Sequence, residues 1–225
     1  MKVRAAPLML AIVISGRGGN MAAIARACAS GQIAARVVRV IADRPDAGGI
    51  TLARNLGLEV SVIPAREFQS RESFEAALRA ALEDSGAKCV VLAGFMRILS
   101  PQFAADYAGA MLNIHPSLLP KFPGLHTHER ALQAHETEHG ASVHFVTSEL
   151  DAGPIVLQAR VPILPADTPQ TLSARVQQQE HIIYPKVIGW IAAGRLQQVN
   201  GLLNFDGRPL SAPLIEGLAR DGLTS

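Results

Sequence analysis

A mainly parallel, twisted β-sheet with helices on both faces is the fold class this sequence predicts, and three observations predict it. Short apolar runs rich in valine and isoleucine recur along the first half of the chain, helical patterns separate them, and the runs are hydrophobic almost without interruption, as in strands covered on both faces. The runs span residues 8–15, 37–43, 59–63, 89–92 and 111–115, each of strand length. The clearest helix between them covers residues 71–85, where Phe74, Ala77, Leu78, Ala81 and Leu82 form one stripe and Ser70 is placed to cap the first turn. Because strand and helix alternate, right-handed crossovers should join parallel neighbours.

Beyond residue 115 the pattern changes. Prolines at 116, 120 and 123 exclude regular structure from a loop that ends near Gly124. A helical stretch over 127–135 follows, then two strands, 142–146 and 155–161, joined through Asp151-Ala152-Gly153-Pro154 and expected to be antiparallel. A long last helix should begin at Thr168, with Pro169 in its first turn, and run towards Trp190, with Pro185 as the position where a kink can form. Asn204-Phe205-Asp206-Gly207 reads as a turn, and the tail to Ser225 as loosely held. With no repeat, low-complexity tract or linker, one domain is expected over residues 1–205, with a tail over 206–225.

Composition narrows the function classes. Of 225 residues, 48% are hydrophobic and 18% charged, which excludes a disordered chain. The net charge of +2 is spread over 21 basic and 19 acidic side chains, so there is no basic block for nucleic acid. Lys2 and Arg4 before the apolar run 8–14 imitate a secretory leader, but the run enters Ser15-Gly16-Arg17-Gly18-Gly19-Asn20, which reads as a strand feeding a turn. No apolar stretch reaches the roughly 18 residues of a membrane span, so a soluble protein is expected. Cys28 and Cys89 form no paired motif, which points to a reducing compartment, the cytoplasm.

Three segments can carry chemistry. Glycines in Gly16–Asn20 let backbone approach an anion, and the free amides of a following helix favour a phosphate; Asn20 is the candidate cap. A tight turn needing positive φ would use the same residues. Asp43 ends the second run where the ribose-binding acid of a dinucleotide site would sit, yet Met21 stands where that fingerprint needs its third glycine, so a single phosphate fits better. In Asn113-Ile114-His115, residues i and i+2 of one strand project an amide and an imidazole together at the carboxyl edge of the sheet, suited to charge developing on a carbonyl oxygen. By spacing alone Asp151 reads as a turn-forming aspartate; if its loop folds over that edge, its carboxylate can orient His115 and stabilise an imidazolium. His126, His128, His135, His139 and His144 crowd together, but no spacing matches a zinc signature and no cysteine lies nearby, so no metal is expected. Ser15 and Ser117 lack the elbow motif of a nucleophilic hydrolase.

Three blocks in one order carry a resemblance: Val91-Leu92-Ala93-Gly94-Phe95-Met96-Arg97-Ile98-Leu99-Ser100, Leu112-Asn113-Ile114-His115-Pro116-Ser117-Leu118-Leu119-Pro120 and Glu149-Leu150-Asp151-Ala152-Gly153-Pro154. With the first glycine loop, and through Tyr184-Pro185, the chain resembles the phosphoribosylglycinamide formyltransferases of purine synthesis, which have a Rossmann-like fold. The resemblance implies transfer of the formyl group of 10-formyltetrahydrofolate, as co-substrate, to the amine of glycinamide ribonucleotide through a tetrahedral oxyanion. It implies Asn113, His115 and Asp151 as the catalytic trio, Gly18, Gly19 and Asn20 on the ribonucleotide phosphate, and Glu180 on its ribose. Arg71, Met96, Arg97, Ile98, Leu99, Asn113 and Val146 would border the folate. The family often has Ser where this chain has Gly19, and Asn where it has Arg17, which removes a side-chain phosphate ligand that Arg17 could replace.

Two relatives by fold are weighed against this reading, methionyl-tRNA formyltransferase with a further C-terminal domain and formyltetrahydrofolate deformylase with an N-terminal one. Neither extension is expected, since recognisable text begins at Leu8 and a short tail follows the last helix. A nicotinamide-dependent oxidoreductase using Asp43 and the glycine loop is a more remote alternative, and a non-catalytic folate- or nucleotide-binding module is another. The partners expected are small molecules, with no nucleic acid or membrane. The long last helix and the edge after residue 195 allow a homodimer without requiring one.

Overall fold

The computed structural model describes residues 6–199 and 201–217. In chain order the elements are β1 (Leu8–Ile14), α1 (Gly19–Ala29), β2 (Ala35–Ala42), α2 (Gly48–Asn55), β3 (Val60–Val62), a 3-10 turn (Ala65–Glu67), α3 (Arg71–Asp84), β4 (Cys89–Leu92), α4 (Pro101–Asp106), β5 (Met111–His115), α5 (Thr127–Gln133), β6 (Glu138–Phe145), β7 (Ile155–Pro162), α6 (Pro169–Ala192), β8 (Leu196–Val199), β9 (Leu202–Phe205), β10 (Arg208–Pro209) and β11 (Leu214–Ile215). Eight strands form one sheet in the order β11-β7-β6-β5-β4-β1-β2-β3, and β10-β9-β8 form a small second sheet. From β3 to β5 neighbouring strands are parallel; β6 runs antiparallel to both β5 and β7. The expected mainly parallel sheet with antiparallel later strands is therefore what forms.

Alternation along β1 divides the core in two. Leu10, Ile12 and Ile14 point to one face, where Met21 and Ile24 of α1 and Ile183, Tyr184 and Val187 of α6 cover them. Ala11 and Val13 point to the other, against Phe74 and Leu78 of α3 and Phe103 of α4. Both faces of β1 are buried, which is why its sequence is apolar throughout. α3 begins with a capping box in which the Ser73 amide donates to Ser70 Oγ at 3.2 Å and the Ser70 amide to Ser73 Oγ at 3.2 Å. Thr168 and Thr171 build the same device at the start of α6, so Thr168 is the cap and Pro169 the first helical residue. α6 continues through Pro185 as one helix.

Several expectations need correction. The cap position of α1 is Gly18, in the left-handed region at φ 79°, and not Asn20. Glycine is required there twice over, because a Cβ would also stand 2.9 Å from the Gly49 α-carbon. β6 begins at Glu138 rather than residue 142, since Glu138–Ala141 pair with Ala159–Pro162 while offering a polar, glycine-interrupted pattern. α2, which opens on two glycines, and the six-residue α4 are too short to show a helical period. The turn expected over 204–207 narrows to Asp206-Gly207, both at positive φ (51° and 75°), with Phe205 and Arg208 paired across it as in a two-residue hairpin. The segment expected as a loose tail holds β10 and also β11, which adds to the main sheet beside β7 in register Leu214 to Leu157; residues 218–225 lie outside the described ones.

The topology positions the site. From β1 the chain winds outward to β2 and β3, then crosses back to β4 on the opposite side of β1, so the winding reverses between β1 and β4. Beyond the carboxyl ends of such a pair the connecting loops diverge and leave a crevice.

Candidate functional site

A cavity of roughly 640 Å³ opens there. Its walls come from the loop after β1 (Gly16–Asn20), the strip after β4 (Ala93–Leu99), the end of β5, the loop before β7 and the Ser173, Gln177 and Glu180 face of α6. Hydrogen bonds hold the strip: the Met96 amide donates to Ser15 Oγ at 2.9 Å, and the Ser100 amide to the buried Glu75 carboxylate at 2.6 Å. The rim is apolar and open, with Met96 70%, Ile98 64%, Leu125 65% and Leu150 55% exposed. Side chains of that kind grouped around one cavity suit a flat, largely apolar ligand ring.

At the floor the strand tip presents Asn113 and His115, as their i, i+2 spacing requires. Asp151, from the loop between β6 and β7, comes in behind them: its Oδ2 lies 3.3 Å from His115 Nδ1, with both side chains at least nine-tenths buried. The same oxygen accepts the Gly124 amide at 2.8 Å, tying the proline-rich loop to the trio. His115 Nε2 faces the Phe122 carbonyl at 2.9 Å. Both ring nitrogens thus look at acceptors, an environment that an imidazole with two N–H donors satisfies. Asp151 adopts φ 53°, and two residues on, a Cβ on Gly153 would fall 1.9 Å from the Phe145 carbonyl oxygen, so only glycine lets this loop fold down over β6.

Sequence reasoning missed His144. It pairs across the antiparallel ladder with Asn113, and its Nε2 stands 3.2 Å from Asn113 Nδ2 and 3.7 Å from Asp151 Oδ1. Nδ1 donates to the Phe145 carbonyl at 2.9 Å, which leaves Nε2 as the acceptor that orients the Asn113 amide. Burial pushes this imidazole towards its neutral form, consistent with that role. Only knowledge of the β5/β6 register could have singled it out from the five crowded histidines.

At the other end of the cavity the amides opening α1 face the crevice, the first intrahelical bond being Ala22 N–H to the Gly18 carbonyl at 2.9 Å. Asn20 does not cap; its Nδ2 donates to Glu180 Oε2 at 2.7 Å, joining α1 to α6. Glu180 is buried, and desolvation raises its carboxyl pKa while the Asn20 bond opposes the rise. Met96, Arg97, Ile98, Leu99 and Val146 line the cavity, whereas Arg71 does not: it is the exposed first residue of α3. Arg97 Nε donates to Asp43 Oδ2 at 2.7 Å, and its guanidinium lies 5.7 Å from the Phe74 ring centre. Asp43 Oδ2 is thereby held by an arginine, and the residue lines a second cavity of roughly 540 Å³ that adjoins the first through the shared Met96 and Arg97. Among the described residues no group of three or more His, Cys, Asp or Glu side chains is arranged to hold a metal ion, and no helix is long and apolar enough to cross a membrane.

His139, 1% exposed, sits beneath the same loop, its ring 5.1 Å from His128 and 6.1 Å from Phe122. Burial pushes its pKa down to about 4, His128 and His115 add repulsion, and the Pro116 carbonyl and Glu136 oppose them. An unfolded histidine titrates near 6.5, so between these values the unfolded chain binds a proton that the folded one refuses. Stability is therefore expected to be full above about pH 6.5 and to fall through the window down to about pH 4, by up to about 3 kcal/mol from this residue. Urea unfolding of the wild type and His139→Phe at both ends of that window checks it; equal acid losses in the two proteins would refute the assignment.

Residues 8–188 match the formyl transferase family. The chain is 49% identical to phosphoribosylglycinamide formyltransferase of Escherichia coli (strain K12), over 89% of this chain and 95% of that protein. It is similar to the solved phosphoribosylglycinamide formyltransferase of Coxiella burnetii, with TM-score 0.88, 49% identity, and 92% and 99% of the two chains covered. Glycinamide ribonucleotide transformylase 1 of Symbiobacterium toebii superposes with TM-score 0.87 at 40% identity, over 91% and 97%.

Proposed function

Because the chain belongs to the formyl transferase family, we propose that the cavity holds both partners of a formyl transfer, with Asn113, His115 and Asp151 as the reacting trio. The protein is a phosphoribosylglycinamide formyltransferase, an enzyme of purine biosynthesis that moves a formyl group from a formyl-folate to the amine of glycinamide ribonucleotide. The observation that carries the assignment of roles is the convergence of an amide, an imidazole and a carboxylate at one strand tip, inside the cavity that also receives the helix-start amides.

The co-substrate is 10-formyltetrahydrofolate, which brings an activated formyl group; its flat ring fits the apolar rim of Met96, Ile98 and Leu125. At the far end the amides of Gly18, Gly19 and Asn20 take the phosphate, favoured by the positive end of α1, and Glu180 takes a ribose hydroxyl. The two ends thus hold the amine and the formyl carbon in one crevice, which removes most of the entropic cost of bringing two reactants together. As the amine attacks, negative charge grows on the formyl oxygen. The Asn113 amide and the His115 ring are the donors placed for it, and the Asp151 carboxylate balances the charge on the ring. Asn113 enters this step already oriented by His144. His115 Nε2 must exchange the Phe122 carbonyl for the reacting oxygen, so a shift of the loop carrying Phe122 belongs to the reaction. The attacking amine's proton passes through water beside Asp151 to N10 of the folate, whose bond to the formyl carbon breaks as the tetrahedral intermediate collapses, so that formylated ribonucleotide and tetrahydrofolate are released. Arg71, outside the cavity, is left to meet the distal carboxylates of the folate. The two free thiols, Cys28 and Cys89, accord with a cytoplasmic enzyme.

The test is direct. Purified protein with both substrates should release free tetrahydrofolate, followed by absorbance, and omission of the ribonucleotide should abolish the signal. Equal release without ribonucleotide would make the protein a deformylase instead.

A further inference from the structure

We infer that Asp43 is a positioning residue for folate recognition: from the wall of the second cavity it holds the Arg97 guanidinium by one edge, so that the remaining N–H donors meet a carboxylate of the folate tail. This deepens the proposed function and rests on its folate reading. Among the described residues, two arginines line the main cavity. Arg17 belongs to the glycine loop at the ribonucleotide end, and Arg97 is flanked by Met96 and Ile98 of the apolar rim. A ligand whose flat ring lies on that rim carries its charged tail past Arg97. The guanidinium also lies 5.7 Å from the Phe74 ring centre, one turn into α3 from Arg71, so both cations stand at the start of the same helix.

Asp43 is a rigid post. Its amide donates to the Ile14 carbonyl at 3.2 Å and its carbonyl accepts the Ala65 amide at 2.9 Å, which fixes it to β1 and to the turn after β3. The side chain is 4% exposed, against 39% for Arg97. Oδ2 accepts Arg97 Nε–H at 2.7 Å, and Oδ1, buried, has no partner. Buried polar atoms are normally satisfied, and a buried carboxylate that spends itself on a single, partly exposed arginine adds little stability. What the pair does supply is orientation. With Nε committed, the two Nη groups at the end of the fork are left, and their parallel donors match a carboxylate. An unheld arginine gives up its rotamer freedom on binding, whereas this one has surrendered it in advance. The charge of Asp43 opposes an incoming carboxylate, but water around the partly exposed guanidinium screens that repulsion, so the gain in orientation outweighs it.

Steady-state kinetics with the full-length protein test this. Asp43→Ala should raise KM for 10-formyltetrahydrofolate about 5- to 30-fold, part of the worth of a hydrogen bond between charged groups. Turnover, and KM for glycinamide ribonucleotide, should stay within about twofold, as when an interaction made equally in ground and transition states is lost. The decisive probe is the diamide of the same co-substrate, whose tail carboxyls are neutral. Its KM should be the same in wild type and Asp43→Ala, whereas a variant that merely disturbs the strip after β4 weakens both forms alike. Asp43→Asn, which keeps an acceptor oxygen for Nε, should lose less than Asp43→Ala. The double variant Asp43→Ala/Arg97→Ala should show a folate KM no higher than Arg97→Ala alone, because Asp43 acts through Arg97. An unchanged folate KM in Asp43→Ala, an equal rise for the diamide, or additive losses in the double variant overturns the inference. Wild-type protein that fails to formylate glycinamide ribonucleotide at all would instead overturn the functional reading on which it rests.

Discussion

Replacement of His115 by alanine is expected to lower formyl transfer by about 10²- to 10⁴-fold while the fold stands. The ring is 5% exposed and spends its two nitrogens on the Phe122 carbonyl and the Asp151 carboxylate, so it is held in place from both sides. Its loss therefore removes a donor from the oxyanion and leaves the Asp151 carboxylate without its imidazole partner. Single-turnover measurement with both substrates saturating isolates the effect from binding. A stability loss of about 1–3 kcal/mol is expected alongside, because the ring's two polar contacts go and the buried Asp151 carboxylate loses a partner, so turnover is measured well below the variant's melting temperature. Turnover within threefold of wild type would remove His115 from the reaction.

The parts of this fold that are legible in the sequence are those where one local pattern decides the outcome. β1, β4 and β5 are buried on both faces, so their apolar runs announce themselves, and α3 shows its stripe because Phe74, Leu78 and Leu82 on one side pack against the sheet while the other side is wet. Asn113 and His115 are readable together because a strand repeats every two residues. Where the arrangement depends on contacts distant in sequence, the pattern is silent. His144 acquires its role only through the cross-strand pairing with Asn113, and Asn20 looked like a cap because its partner, Glu180, lies 160 residues away. β11 reads as tail because two residues have no period, yet they complete an edge of the sheet.

Asp151→Asn should separate charge from shape in the trio, and a fall of about 10²- to 10⁴-fold in turnover is expected from charge alone. Asparagine tolerates the left-handed backbone at this position as aspartate does, so φ 53° adds no strain. One oxygen, Oδ2, faces both the Gly124 amide at 2.8 Å and His115 Nδ1 at 3.3 Å. The amide must place its carbonyl there, because an NH2 group would point at the Gly124 N–H. That keeps the loop anchored and turns the NH2 towards His144 Nε2, 3.7 Å from the other oxygen. What disappears is the negative charge that balances a protonated His115 while the formyl oxygen becomes anionic. Asp151→Ala differs in a measurable way, since it also leaves the Gly124 amide without its acceptor and should cost about 1–3 kcal/mol of stability. The pair of variants should therefore share a low turnover and differ in urea midpoint. An asparagine variant with near wild-type turnover would mean that Asp151 acts by holding the loop, and that the imidazole needs no counter-charge.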